Sequence, residues 1–171
     1  QKQHISQASR NLLAEKKQHL AALYQALLQQ QPQQIIQCCQ QEISASGRYE
    51  QFCRRVLAET LFAEQRYDEL ESLLSDSMSQ RRPNWALLLE AKFRLHQQNY
   101  PRCLEICQES IEINRLCAQA YDLQASCLLA QGNPDAAFVS INQALAIAPY
   151  HLPRQYLTLK VARAAGHIPE M

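Results

Sequence analysis

The side chains best equipped for chemistry in this chain are its seven cysteines and five histidines. A metal site needs about four convergent, deprotonated ligands, and a thiol nucleophile needs an oriented base beside it. The spacing provides neither. Cys38 and Cys39 are adjacent, Cys103 and Cys107 lie one helical turn apart, Cys53, Cys117 and Cys127 stand singly, and no CxxC pair occurs. The histidines are scattered without HxxxH or HExxH spacing, and His96 near Cys103 is the only loose cluster. No GxSxG elbow, phosphate-cradling loop or dinucleotide fingerprint is present, and three glycines leave little material for such loops. No catalytic residue, cofactor or metal ligand is assigned, and the chain is not expected to be an enzyme. An odd set of cysteines, mostly at apolar helical positions, reads as reduced thiols packed in a core. That fits a cytoplasmic protein better than a disulfide scaffold.

Charge narrows the partners. Seventeen basic and 16 acidic residues leave a net charge of +1, which gives no general attraction to nucleic acid or to an anionic membrane. Arg54-Arg55 and Arg81-Arg82 read as solvated surface, and Glu59 and Asp122 interrupt any continuous basic stripe. Nucleic acid is therefore disfavoured as a partner, and an RNA-binding helical-repeat protein is the weakest of the alternatives. No apolar run is long enough to span a bilayer, and no signal peptide is visible. The chain begins at Gln1 rather than Met, which is consistent with a missing preceding segment.

The elements that would position any site repeat. Gly132 and Gly166 are 34 residues apart, as are Gln98 and Gly132, while Tyr67 and Tyr100 are 33 apart. Around them Ala91 matches Ala125, Cys103 matches Ala137, Cys107 matches Ile141 and Ile111 matches Leu145. A period in the thirties with two helical segments per unit predicts a helical-hairpin solenoid. Apolar spacing predicts a long helix over 5–30, then helices over 49–64, 67–80, 84–97, 100–113, 117–131, 134–147 and 151–165. Pro32 suits the start of the second helix, and Gly47 suits its stop. Asn99 and Asn133 are placed to cap the helices that follow, with Pro101 and Pro134 in their first turns.

Ala118 to Pro149 closely resembles a tetratricopeptide repeat, supplying Tyr121, Ala125, Gly132, Ala137, Ile141, Ala144 and Pro149 at that family's characteristic places, with Ala125 where Gly is commoner. The unit before it keeps Leu87, Ala91, Tyr100, Cys103 and Cys107 but lacks the turn Gly and the closing Pro. The unit from Gln51 keeps Leu57, Ala58, Leu61, Tyr67, Leu70 and Leu74. The resemblance implies an all-α, right-handed α-α superhelix of about four hairpins plus a terminal helix. Residues 1–48 would form a long helix and a degenerate hairpin. Three units would follow at about 51–83, 84–117 and 118–150, with a capping or truncated helix over 151–166. Pro83-Asn84-Trp85-Ala86, Ala91-Lys92 and the Pro149–Gln155 segment further resemble the C-terminal region of bacterial response regulators that carry such repeats. That implies the output half of a two-component system, without its receiver domain.

The resemblance also implies a function and a surface. Such folds bind proteins, and the first helix of each unit lines the groove. The groove residues would be Phe52, Arg55, Glu59 and Phe62, then Trp85, Lys92 and His96, then Asp122 and Ser126, then Tyr156, Lys160 and Arg163. An aromatic and charged groove suits an extended peptide or a helix. Trp85 reads either as a partner anchor or as a wedge between hairpins. Some chaperone-binding relatives hold a terminal carboxylate with Lys and Arg at set groove places and Asn at the ninth place of the unit; here the ninth places are Glu59, Lys92, Ser126 and Lys160, so that partner class is disfavoured. An alternative makes the repeats a self-association device, with a homodimer formed through an apolar face around Leu157 and Val161 on the last helix.

Overall fold

Local chemistry sets where each helix starts and stops. A computed structural model describes residues 20–46, 48–76 and 82–167. Asn99 and Asn133 accept from backbone N–H groups three residues on, Arg102 at 3.4 Å and Ala136 at 3.3 Å. Each is followed in the first turn by a proline, whose missing N–H has no intrahelical partner to lose. Pro32 likewise opens its helix. Gly47, read as a stop, lies outside the described residues, as do Ile5 to His19 of the expected long first helix.

Every described residue belongs to a helix, a turn or an irregular segment, and none to a strand. The helices are α1 (20–28), α2 (Pro32–Ser44), α3 (Glu50–Ala63), α4 (Tyr67–Asp76), α5 (Asn84–His96), α6 (Tyr100–Ile113), α7 (Ala118–Ala130), α8 (Pro134–Ile147) and α9 (Leu152–Ala164). The expected helix over 67–80 is described only to Asp76.

One turn recurs five times. Gln30, Gln65, Gln98, Gly132 and Gly166 all have positive φ, between 51° and 76°, and are separated by 35, 33, 34 and 34 residues. In each case the next residue's N–H reaches back to a carbonyl five positions earlier. Gln31 bonds Ala26, Arg66 bonds Leu61, Asn99 bonds Arg94, Asn133 bonds Leu128 and His167 bonds Ala162, all at 2.9–3.0 Å. This left-handed closure satisfies the last carbonyls of the helix and reverses the chain. The hairpin repeat thus reaches into the N-terminal third, where glutamine takes the strained conformation that glycine takes later.

The chain forms two compact units, Gln1–Ser77 and Met78–Met171. The division falls between α4 and α5. In the first unit α2 packs on α3, across the boundary expected at residue 48, and α3 packs on α4. The core there includes Ile35, Ile36, Cys39, Cys53, Leu57, Ala58, Leu61 and Leu70. In the second unit each helix packs on the next from α5 to α9, and α7 also lies against α5 and α9. Leu87, Ala91, Cys103, Ile106, Cys107 and Cys127 form one buried cluster, and Ala125, Ala137, Ile141, Ala144 and Val161 another.

That second cluster corrects the self-association face. Val161 is fully buried, and Leu157 packs against the same core. Val161 offers no exposed surface and Leu157 is half-buried, because α9 turns this side onto α7 and α8.

The cysteines pack as core residues. All seven are free, and all but Cys38 are buried. Burial pushes the Cys39 thiol up to about 12, helped by neighbouring Cys53, and burial likewise raises Cys53 and takes Cys127 to about 12. The hydrogen bond with Cys107, followed by burial, pushes Cys103 far up. Thiols held neutral in this way are poor nucleophiles.

Candidate binding cleft

The cleft in the second unit is built from the first helices of successive hairpins. α5 contributes Lys92, α7 contributes Gln119, Asp122, Leu123 and Ser126, and the start of α9 contributes His151 and Arg154. Together they enclose about 450 Å³. Residues 119, 122, 123 and 126 recur at three- and four-residue spacing, so one face of α7 forms the floor.

An ion pair fixes one wall. Arg154 is only 5% exposed, yet it is fully charged. Its Nε and Nη2 donate to the two carboxylate oxygens of Asp122, each at 2.7 Å, and its Nη1 donates to the Ala148 carbonyl at the end of α8. This planar, two-pronged contact is a geometry that lysine cannot reproduce. It ties the α8–α9 turn to α7. Both Asp122 oxygens are occupied, so the carboxylate is positioned by Arg154 rather than held ready for a ligand. Ser126 donates from Oγ to the Asp122 carbonyl at 2.8 Å.

Lys92, Asp122 and Ser126 of the predicted groove therefore converge. His96 is exposed farther along α5, and Trp85 is half-buried at its start. On α9, Tyr156, Lys160 and Arg163 are exposed and lie outside the cleft lining, with the Lys160 ammonium 4.7 Å from the centre of the Tyr156 ring. Phe52, Arg55, Glu59 and Phe62 belong to the first unit. There Arg55 pairs with Glu59 at 2.9 Å on an exposed face of α3, and Phe62 meets Tyr67 edge-on at 6.1 Å between centroids.

Arg154 and His151 were not anticipated. The signal was present: Ala120, 34 residues before Arg154, is buried, and an arginine at a buried place needs a partner. The expected solvation of Arg82 is also corrected. Its guanidinium is largely buried, bonded to Glu90 at 2.5 Å and to Glu109. Glu90, buried on α5, needs that charge beside it, with Arg94 and Arg102 at 3.8 and 3.9 Å. Arg54 is paired with Glu50. Nearby, Ser110 of α6 donates to Asn84 Oδ1 at 2.6 Å, and the Asn84 amide points to the Cys117 sulfur at 3.4 Å. A small polar bridge thus joins the starts of α5 and α7 to α6. No helix among the described residues is long and apolar enough to cross a membrane.

No protein-family model matches the chain, and no curated protein matches it in sequence. Solved structures do match its shape. A crystal structure of MamA protein aligns with TM-score 0.69 at 12% identity, covering 88% of this chain and 82% of that one. The MamA RS-1 ArsTM double mutant aligns with the same score and identity, covering 88% of this chain and 89% of its own. With the recurring hairpins, these likenesses establish the fold as an all-α helical repeat of the tetratricopeptide type.

Proposed function

We propose that this chain is a non-enzymatic protein-binding module whose cleft on α5, α7 and α9 receives a polar segment of a partner. The observation that carries this reading is the convergence of Lys92, Gln119, Asp122, Ser126, His151 and Arg154 on one concavity. The helical-repeat fold suits a protein-interaction scaffold. Arg154 is committed to Asp122 there, and Lys92, Gln119, Ser126 and His151 add polar groups to the lining. Its helical walls suit an extended peptide better than a small metabolite. Free thiols support a reducing, cytoplasmic setting. RNA is disfavoured further because Arg54, Arg82 and Arg154 are spent on internal ion pairs. The response-regulator context has no support in the comparisons.

The test places a photo-crosslinking residue at Gln119 in the cleft and, in a separate protein, at Val139, which is exposed on α8. A discrete protein adduct is expected from position 119, absent at 139 and lost with Lys92→Glu. Identical adduct patterns from both positions would count against the cleft.

A further inference from the structure

We propose that Cys38, Cys39 and Cys53 form a reversible oxidation site, at which hydrogen peroxide admitted through Cys38 leaves a disulfide between Cys39 and Cys53 that staples α2 to α3. The two helices pack directly on one another. Cys39 and Cys53 are both fully buried in the core of the first unit, and their thiols are hydrogen-bonded to each other. Cys38, one residue earlier on α2, is only half-buried, and it stands close enough for its charge to act on both. Repeat register shows that packing does not require this pairing. Cys39 lies nine residues after the left-handed turn at Gln30, and Cys53 lies twelve before the one at Gln65. The same two places in the later repeats hold Leu74 and Ala86, Cys107 and Ala120, then Ile141 and Arg154. A thiol beside a methyl group fills these places at α6 and α7, where Cys107 and Ala120 are fully buried. Thiols on both sides belong to α2 and α3 alone.

The order of steps follows from access. Burial holds Cys39 and Cys53 protonated, and a buried neutral thiol is a poor first target, so the accessible Cys38 sulfur reacts first. It attacks one peroxide oxygen, the O–O bond breaks, and Cys38 becomes a sulfenic acid with release of one water. The Cys53 sulfur displaces that hydroxyl as a second water, which gives a disulfide between Cys38 and Cys53. Cys39 then attacks the Cys53 sulfur, and its proton passes to the departing Cys38 sulfur. Two thiols have then lost two electrons, one peroxide has become two waters, and Cys38 ends as a thiol. Successive helix residues point about 100° apart, which opposes a bond between Cys38 and Cys39. Cys103, Cys107 and Cys127 also adjoin one another, but all three are fully buried and none offers an entry. In a reducing compartment such a bond is transient and reports oxidant.

The test exposes the native 171-residue protein to hydrogen peroxide, quenches with N-ethylmaleimide and digests with trypsin without reductant. Cleavage at Arg48 puts Cys53 on a separate peptide from Cys38 and Cys39. Mass spectrometry should find the two peptides joined, and dithiothreitol should part them. Cys38→Ser, at a half-buried place, should slow the bridge by at least about tenfold, with unchanged far-UV circular dichroism verifying the fold. Cys39→Ala should still join the peptides, now through Cys38, and Cys53→Ala should leave Cys38 as a sulfenic acid that dimedone traps. Cys103, Cys107 and Cys127 should stay reduced throughout. The bridged protein should unfold at a higher urea midpoint, which dithiothreitol returns to its starting value. The absence of joined peptides overturns the proposal. So does a bridge that forms as fast in Cys38→Ser, or oxidation of Cys103 and Cys127 at the rate of Cys39 and Cys53, because general unfolding rather than Cys38 then admits the oxidant.

Discussion

Replacing Asp122 with alanine leaves the Arg154 guanidinium almost entirely buried with only the Ala148 carbonyl for company. The pair contributes two charge-assisted hydrogen bonds of 2.7 Å, and a bond to a charged group is worth about 1.5–3 kcal/mol. Deleting one partner of a fully buried pair costs about 3–5 kcal/mol. The Asp122 side chain is 19% exposed, so water reaches one side of the contact and the expected loss is about 2–3 kcal/mol. Urea unfolding followed by far-UV circular dichroism reads this as a lower midpoint at constant slope. Arg154→Lys should recover little, because an ammonium cannot meet both carboxylate oxygens and the carbonyl together. The double variant Asp122→Ala, Arg154→Met removes both charges, and its loss should fall short of the summed single losses by about 1–2 kcal/mol. A loss below about 0.5 kcal/mol for Asp122→Ala, or strict additivity in the cycle, would refute a structural role for the pair.

Gln98 adopts φ +59° at a turn where Gly132 adopts +76°. Gln98→Gly should stabilise the protein by about 0.5–1 kcal/mol, since relief of the left-handed strain outweighs the flexibility that glycine adds to the unfolded chain; a lower thermal midpoint would contradict this. The raised thiols also predict a pH dependence. Cys39 and Cys127 stay protonated to about 12 when folded, whereas an unfolded thiol ionises near 8.5. The unfolded state then holds fewer protons, so stability is complete below that point and is lost as pH rises through the window toward 12. The limiting slope is about 1.4 kcal/mol per pH unit for each such thiol. Urea midpoints from pH 8 to 10.5 should fall, less steeply in Cys39→Ala, and a flat profile would overturn the assignment.

Much of the fold was legible because its signals are local. Asn99 with Pro101, and Asn133 with Pro134, carry their capping chemistry within four residues, and the apolar spacing of α6 and α8 repeats at 34. The turns at Gln30 and Gln65 were not legible as turns of the same kind. Glutamine carries no preference for positive φ, so only the packed hairpin imposes that conformation. Half of the cleft was legible for the same reason. Lys92, Asp122 and Ser126 follow from repeat register, whereas Arg154 enters through a contact 32 residues distant in sequence.

The helix α9 separates what each level decides. Its sequence determined that a helix would form after Pro149 and end at Gly166, since both signals act through the backbone next to them. It could not choose which side to bury, because apolar residues line both sides: Leu157 and Val161 on one, Leu152, Tyr156 and Leu159 on the other. Tertiary packing made the choice. Val161 fills the space beside Ala125, Ala137, Ile141 and Ala144, and Arg154 on the same side finds Asp122. The opposite stripe has no such complement within the second unit, and burying it would have turned Val161 and Arg154 to solvent and parted Arg154 from Asp122.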